Sequence, residues 1–559
     1  MKRYEIENSD FIRAKRNGFP LVDKSGFIKA LWELNEKVCL ITRPRRFGKT
    51  MNLGMLDAYL NLGYKEEGKE WFKGMEIENH ENMRNLRNAF PVIRMSFSDL
   101  RTGSTESFMN GLKTMTSEIY RNFKEQGAFD DAPEYDTPVI SSIILKTANE
   151  DDVIYSIKLL CRMLHRHYGV APVILIDEYD KPVTDTYNES HHEEILGIIR
   201  DFLRLILKDN ERLTKCVITG VSQVAKESMF SDLNNLYVNN ILSTDLDEWF
   251  GFTEMEVSEI LVNDDGIVDE NKMRIAKEWY DGYVFGNTEV YNPWSILMYN
   301  NTGKADKYWI ETGGDRIVND LLKNPDEEMQ KKLERLLSNE GLPMDVRTGI
   351  SMRDLGNSPE NLFSMLLVAG YLTAVPIAGN SGGDVPIAEG RIVKIPNMEV
   401  RRHLAAMVAG MYDGGTIITN MTKLTDAVIS GNENDILERL PDVMEFFFPY
   451  GKARYEEGYQ TAFMACLAFL GDRFDVKSEY VAVTGRADVW VRRLYGPGCN
   501  MVLEIKRVEE GQDPDILSGK ALEQILNHRY TAGLKGRTPV FGIALGGGKP
   551  SVIRKELFI

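Results

Sequence analysis

The sequence has little cysteine, little histidine and no long hydrophobic run, and each shortage excludes something. Its five cysteines, Cys39, Cys161, Cys216, Cys466 and Cys499, are odd in number, far apart and never arranged as C-x-x-C. That pattern argues against a disulfide framework and a cysteine zinc site, and for a reduced, cytoplasmic chain. Seven histidines offer no metal set either. His191 and His192, followed by Glu193 and Glu194, are adjacent and cannot share a helix face, so they read as an exposed helix start. The longest apolar stretch, Met365 to Ala378, is broken by Gly370 and Pro376 and falls short of the ~20 residues that a membrane span needs. The N-terminal MKRYEIENSDFIRAKRNG lacks the apolar core of a signal peptide. Neither export nor a membrane partner is expected. Excess positive charge is also missing: 67 Lys and Arg against 84 Asp and Glu leave a net charge of −17. A polyanion-coating protein is therefore disfavoured, while a local basic groove stays open.

What is present is enough for several cores. The 559 residues are 43% hydrophobic and 27% charged, which at about 100 to 200 residues per domain implies roughly three folded parts. Residues 1–244 alternate short apolar runs with amphipathic helical stretches. The strand candidates are Lys37 to Thr42, Phe90 to Phe97, Pro172 to Asp180 and Lys215 to Ser222. Uninterrupted β-rich runs of this length belong to parallel sheets covered on both faces by crossover helices, so an α/β domain is expected. Residues 245–440 read as a helical lid and an intermediate helical region. Residues 441–559 change character to an α+β unit: a helix near Glu456, two strands joined by the turn-forming GPGC, and a helix around Leu522 to Tyr530.

The segment RPRRFGKT, Arg43 to Thr50, lies between the first strand candidate and the helical run MNLGMLDAYLNL. Strand, tight loop and helix in that order make a phosphate-binding loop, because loop N–H groups and the helix N-terminus point at the anion. In that frame Arg45, Arg46, Phe47, Gly48, Lys49 and Thr50 surround the phosphates of ATP. Lys49 reaches the β- and γ-phosphates and the Thr50 hydroxyl holds Mg²⁺. Arg45 and Arg46 are placed to touch the polyphosphate or a neighbouring subunit. One position departs from G-x-x-x-x-G-K-[ST]: Arg43 stands where the first glycine belongs. VILIDEYD puts Asp177 and Glu178 at the end of an apolar strand, where open α/β sheets bind ligands. Asp177 suits the metal shell and Glu178 the orientation or deprotonation of water. Thr219, ending KCVITG, is placed to sense the γ-phosphate.

These stretches resemble a bacterial family that joins an N-terminal AAA-ATPase-like domain to a C-terminal domain of the PD-(D/E)XK nuclease superfamily. The resemblance rests on LVDKSGFI (Leu21 to Ile28), LITRPRRFGKTMNLGML (Leu40 to Leu56), VILIDEYDKPV (Val173 to Val183), ITGVSQVAKESMFSDLNNL (Ile218 to Leu236), EWYDGYVFG with VYNPWSI (Glu278 to Ile296), and IPNMEVR (Ile395 to Arg401). It covers most of the chain in order and makes Arg43 a family trait. It implies an additional-strand P-loop sheet with Phe90 to Phe97 between the Walker A and Walker B strands. It also implies a restriction-endonuclease-like fold at the C-terminus.

There, Asp488 in GRADVWV and Glu504 with Lys506 in MVLEIKR carry the D…(E/D)-x-K pattern. Residues two apart on a strand share a face, so Glu504 and Lys506 converge, and a hairpin brings Asp488 toward them. Two close carboxylates suit a hard divalent cation, and Lys506 can position water or stabilise phosphodiester charge. The family also implies Glu-x-x-Tyr-His on the preceding helix. Here Glu456 and Tyr459 are followed by Gln460, so the histidine is absent while Glu456 remains a candidate metal ligand. Glu479 is an alternative third acid, and Gln524 is either a water-orienting amide or an ordinary surface residue. The aromatic string Trp279, Tyr280, Tyr283, Phe285, Tyr291 and Trp294 reads as core more than as a base-stacking surface.

The expectation is an ATP- and Mg²⁺-dependent ATPase controlling a metal-dependent nuclease domain that acts on DNA or RNA. The alternative is a nucleotide-regulated switch or scaffold that binds nucleic acid or protein without cutting. No arginine finger is identifiable, so hydrolysis within one subunit and across a homo-oligomer both remain open.

Overall fold

The structure is a computed structural model. It describes Tyr4 and residues 10–224, 236–263, 265–309, 327–337, 341–346, 348–350, 359–376, 391–410 and 416–430. It also describes scattered positions from 432 to 470, and residues 474–482, 485–496, 498–509, 511–545 and 551–559. The chain forms two compact units. One comprises Met1–Met273, Tyr283–Lys304 and Arg347–Gly370, and the other Arg274–Gly282, Ala305–Val346 and Tyr371–Ile559.

The first unit is built on strands β1 (Val38–Thr42), β2 (Val92–Ser96), β3 (Val173–Asp177), β4 (Lys215–Gly220), the short β5 (Gln223–Val224) and β6 (Leu236–Asn239). Five of these form one parallel sheet in the order β2-β3-β4-β1-β6. Every residue of β1, β3 and β4 is buried, as expected for central strands covered on both faces. Covering helices present apolar stripes at helical spacing. In Thr105–Glu125, Phe108, Met109, Leu112, Ile119, Tyr120 and Phe123 are buried, and a reciprocal Ser104–Ser107 capping box starts the helix. The sheet order corrects one expectation. The strand within Phe90 to Phe97 follows Walker A and precedes Walker B in sequence, but it lies at the sheet edge beyond β3. The strand between β1 and β3 in space is β4. Sequence order and spatial order differ because helical crossovers carry the chain past a neighbouring strand.

A hairpin of β7 (Tyr283–Phe285) and β8 (Thr288–Val290) and the helix Pro293–Thr302 also belong to this unit. The second unit contains β9 (Leu342–Met344), whereas β10 (Gly349–Ile350) pairs with β5 in the first. Strands β11 (Thr373–Pro376) and β12 (Arg391–Lys394) join β9 in an antiparallel sheet of order β11-β12-β9. The middle region is thus not wholly helical: short β-branched runs such as RIVK pair as strands between its helices. The C-terminal sheet runs β13 (Phe474–Ala482), β14 (Gly485–Arg493), β15 (Met501–Arg507), β16 (Arg537–Leu545), β17 (Ser551–Phe558). Only β15 and β16 are parallel, and the helix Pro514–Asn527 makes the crossover between them. It packs so closely that a side-chain carbon at Gly542 would meet the Ser518 carbonyl at 2.1 Å and the Leu522 nitrogen at 2.5 Å.

Candidate functional site

The phosphate loop runs from the end of β1 into the helix Lys49–Leu60, with Gly48 in the left-handed conformation at the helix start (φ 81). Lys49 is buried, and its ammonium donates to the carbonyls of Arg43 at 2.9 Å and Pro44 at 2.8 Å. Burial pulls it down to about 8, against the opposing pull of Asp177, Asp180 and Glu178. Arg43 explains its own departure from the glycine pattern. Its side chain is fully buried and donates to Thr42 O (2.9 Å), Asn239 O (3.3 Å), Asn239 Oδ1 (2.7 Å) and Leu246 O (3.2 Å). The guanidinium also lies 5.0 and 5.2 Å from the ring centres of Phe250 and Phe285. Arg43 therefore ties the loop's root to β6 and to the segment after it. Farther along, Phe47 packs edge-on against Tyr283 and Phe285. Arg46, with φ 68, holds its guanidinium 3.9 Å from the centre of Trp294, and Arg45 is half-buried. Tyr283, Phe285 and Trp294 thus brace the loop.

Across the loop, Asp177 ends β3. Its Oδ1 accepts from Thr219 Oγ at 2.5 Å and from the Glu178 backbone N–H at 3.0 Å. Thr219 reaches it because β4 adjoins β3 in the sheet. Glu178 sits at φ 51, a left-handed backbone that costs a non-glycine residue about 1 to 2 kcal/mol. Burial, and then the neighbouring Asp177 charge, raises the Glu178 carboxyl above its ordinary value. A cleft of about 270 Å³ is lined by Thr50, Arg94, Met95, Ser96, Ser98, Asp177 and Glu178. The Thr50 hydroxyl and the Asp177 carboxylate are hard oxygen donors of the kind Mg²⁺ takes. Two residues after Glu178, Asp180 Oδ2 accepts from Val221 N (3.0 Å), Ser222 N (2.7 Å) and Ser222 Oγ (2.9 Å), fastening the turn after β3 to the turn after β4.

The C-terminal constellation forms where two strands part. β14 and β15 pair from Val489–Leu503 to Val491–Met501. Beyond that ladder, Asp488 Oδ2 takes the Ile505 N–H at 2.6 Å, and the Asp488 N–H faces Glu504 Oε2 at 3.4 Å. Glu504 is buried, and its Oε1 accepts from Lys506 Nζ at 3.0 Å and Gln524 Nε2 at 2.5 Å. A buried carboxylate surrounded by a cation and an amide avoids the cost of an unpaired charge. Gln524 Nε2 also donates to Tyr530 Oη at 3.1 Å.

Two clusters therefore come together: Lys49, Thr50, Asp177, Glu178 and Thr219 in the first unit, and Asp488, Glu504, Lys506 and Gln524 in the second. Glu456, Tyr459 and Gln460 lie outside the described residues, as does the Glu479 side chain. The Glu479 backbone occupies β13 between Ser478, paired with Val489, and Tyr480, paired with Ala487. Among the described residues, no group of three or more His, Cys, Asp or Glu is arranged to hold a metal. His191 Nε2 donates to the Thr102 carbonyl at 2.7 Å, and His192 Nδ1 contacts Thr186 Oγ1 at 3.0 Å, so both serve the helix start. Sequence reading missed Asp180, Tyr530 and the serines of the cleft. Asp180 was visible only as the last letter of DEYD, and nothing in the sequence marks Tyr530 as a partner of Gln524.

This parallel sheet, with a phosphate loop after β1 and an acidic pair after β3, is that of a P-loop ATPase-like domain. It shares the chain with a mixed sheet carrying a D…E-x-K cluster. Residues 4–230 match the model of the predicted AAA-ATPase family, and residues 454–549 that of the PD-(D/E)XK nuclease superfamily. The chain accordingly combines an AAA-ATPase-like domain with a PD-(D/E)XK nuclease-superfamily domain. Over 92% of its length it is 27% identical to an uncharacterized protein in the vnfD 5' region of Azotobacter chroococcum mcd 1, spanning 90% of that protein. A Walker-type ATPase of Pyrococcus abyssi aligns with 69% of this chain and 96% of its own, at 14% identity and a TM-score of 0.35. The ORC2 protein of Aeropyrum pernix aligns with 73% and 96%, at 9% identity and a TM-score of 0.19. Both likenesses are too distant to bear on function. No helix among the described residues is long and apolar enough to cross a membrane.

Proposed function

We propose that this chain binds and hydrolyses ATP with Mg²⁺ and that its nucleotide state controls metal-dependent cleavage of DNA or RNA by the C-terminal domain. The observation that supports this reading is the presence, on one chain, of two side-chain sets that each have the donors their chemistry needs. In the first domain, taken as residues 1–244, Lys49 neutralises the β- and γ-phosphates and Thr50 with Asp177 would hold Mg²⁺. Glu178 orients and deprotonates the attacking water, and Thr219 reports the γ-phosphate to Asp177. Arg45, Arg46, Phe47 and Gly48 shape the loop around the phosphates. In the last domain, 441–559, Asp488 and Glu504, with Glu456 as a third acid, would hold the cation that supplies Lewis-acid chemistry at the phosphodiester. Lys506 steadies the charge that develops there. Residues 245–440 serve as the lid and intermediate region. The setting is cytoplasmic.

The test is nucleic-acid cleavage by the full chain with Mg²⁺ or Mn²⁺, with and without ATP, alongside phosphate release. Lys49→Ala and Glu178→Gln should abolish phosphate release. Asp488→Ala and Lys506→Ala should abolish cleavage. Release or cleavage that survives its own pair of substitutions refutes that half of the reading. A second reading, a switch that binds without cutting, is favoured by Gln460 in place of the family's histidine. ATP and nucleic-acid binding without turnover of either would select it.

A further inference from the structure

The hydrogen bonds around Gln524 fix which end of its amide does what. Its Nε2 carries two protons, and two acceptors flank it: Glu504 Oε1 at 2.5 Å and Tyr530 Oη at 3.1 Å. An ionised carboxylate only accepts, so turning the amide over would set oxygen against oxygen at Glu504. With both N–H groups engaged, the amide oxygen is the end left to accept from a third group. Tyr530 is buried within a core of Ala487, Trp490, Val502, Ile525, Leu534 and Val540, which fixes its ring. β14 makes room for the phenol by carrying Gly485: a side-chain carbon there would stand 2.7 Å from Tyr530 Oη and 3.0 Å from Cε1. A buried phenol needs a hydrogen-bond partner, and the partner here is the amide that also holds the candidate metal ligand.

We propose that Tyr530 is a positioning residue for the C-terminal site. It locks Gln524 with its nitrogen on Glu504 and its amide oxygen turned to accept a hydrogen bond from the water that attacks the phosphodiester. The proposal rests on the nuclease reading above. In the cleavage step, the water is oriented by a hydrogen bond to the Gln524 oxygen while its own oxygen forms the new bond to phosphorus. The ester oxygen leaves with the bonding electron pair and takes up the proton that the water gives up. Tyr530 exchanges no proton with substrate. Its contribution is to remove the second amide orientation, and Glu504 gains a fixed donor as a result.

The test is a double-substitution cycle in the full chain, with Tyr530→Phe, Gln524→Met and the two combined. Tyr530→Phe keeps the ring in its core, so the thermal midpoint should hold while kcat for Mn²⁺-supported cleavage falls about tenfold and KM changes less than about twofold. Gln524→Met should cost at least as much. Tyr530→Phe should then cost nothing further in the Gln524→Met background, because the phenol acts only through the amide. Gly485→Ala, which presses on Tyr530 Oη, should reproduce the Tyr530→Phe defect. Wild-type kcat in Tyr530→Phe, or an equal loss in both backgrounds, overturns the proposal. If the wild-type chain cleaves no nucleic acid, the nuclease reading fails on its own. The same cycle read by Mn²⁺ binding then decides the lock: non-additive weakening of about tenfold sustains it and unchanged affinity refutes it.

Discussion

Replacing Arg43 with glycine would turn RPRRFGKT into the general pattern G-x-x-x-x-G-K-T, and motif reasoning alone would expect an equal or better nucleotide site. The structure leads to the opposite expectation. The substitution removes four hydrogen bonds, strands Asn239 Oδ1 and the Leu246 carbonyl in the interior, and empties the space between Phe250 and Phe285. Unpaired buried acceptors cost about 1 to 3 kcal/mol each, and a desolvated cation–aromatic contact is worth about 2 kcal/mol. Allowing for relaxation, the net loss is about 3 to 5 kcal/mol, within the range measured when one member of a buried charged network is deleted. At roughly 2 to 4 °C per kcal/mol for a domain of this size, the first transition in a calorimetric scan should fall by roughly 6 to 20 °C. ATP affinity should fall with it, because the Arg43 carbonyl that helps to hold Lys49 loses its anchor. Arg43→Lys keeps the charge without the planar fork and should fall between the two. A glycine variant that melts within about 2 °C of the parent and binds ATP as tightly would refute this account of the loop.

Lys49 is held down at about 8 by burial, so near pH 8 it is half-protonated without nucleotide, and phosphate binding should draw in about half a proton. Calorimetry of ATP binding in buffers of different ionisation heat should show that uptake at pH 8 and its disappearance toward pH 6. The same shift sets a stability trend. The folded chain binds fewer protons than the unfolded one between about 8 and the ordinary lysine value, so this group's contribution to stability rises with pH across that window. Glu178 is raised by burial and by Asp177. The acidic limb of ATP turnover should therefore lie above the ordinary glutamate range, since base function is lost as pH falls through the raised value. Glu178→Gly should end turnover yet raise the unfolding midpoint by roughly 2 to 4 °C, because it relieves a left-handed backbone and a buried carboxyl at once.

How much of this was legible in the sequence depended on whether a residue's role is local. KVCLIT, VILIDEYD and KCVITG announced buried parallel strands, because continuous β-rich runs have little else to do. Glu504 and Lys506 announced a shared face through a period of two. The sheet order was not legible, and β2 was misplaced between β1 and β3, because crossovers spanning many residues leave no local trace of which strand they pass. Arg43 was recognisable as a family trait, but its reason was not. Its partners Asn239 and Leu246 are 196 and 203 residues away. Asp180 and Tyr530 stayed hidden for the same reason, since an Asp that caps a neighbouring turn and a Tyr that fixes an amide resemble any others until the partners are in place. The strands β9, β11 and β12 were missed because three- and four-residue pairings are shorter than a periodicity argument can resolve.

The net charge looks different once it is divided. Residues 474–559 of the sequence hold thirteen Lys and Arg against ten Asp and Glu, a balance of +3, and the rest of the chain holds −20. The acidity that disfavours a polyanion-coating protein thus lies outside the sheet that carries Asp488, Glu504 and Lys506. Within that sheet the acids are partly committed inward. Glu504 is buried under Lys506 and Gln524, and Asp488 accepts from the Ile505 backbone. Several cations are exposed, among them Arg486, Arg493 and Arg507. A phosphodiester approaching this domain meets less repulsion than the whole-chain total implies, whereas one approaching elsewhere meets more. Charge distributed in this way restricts where a polyanion can dock, and so acts on specificity more than on total affinity.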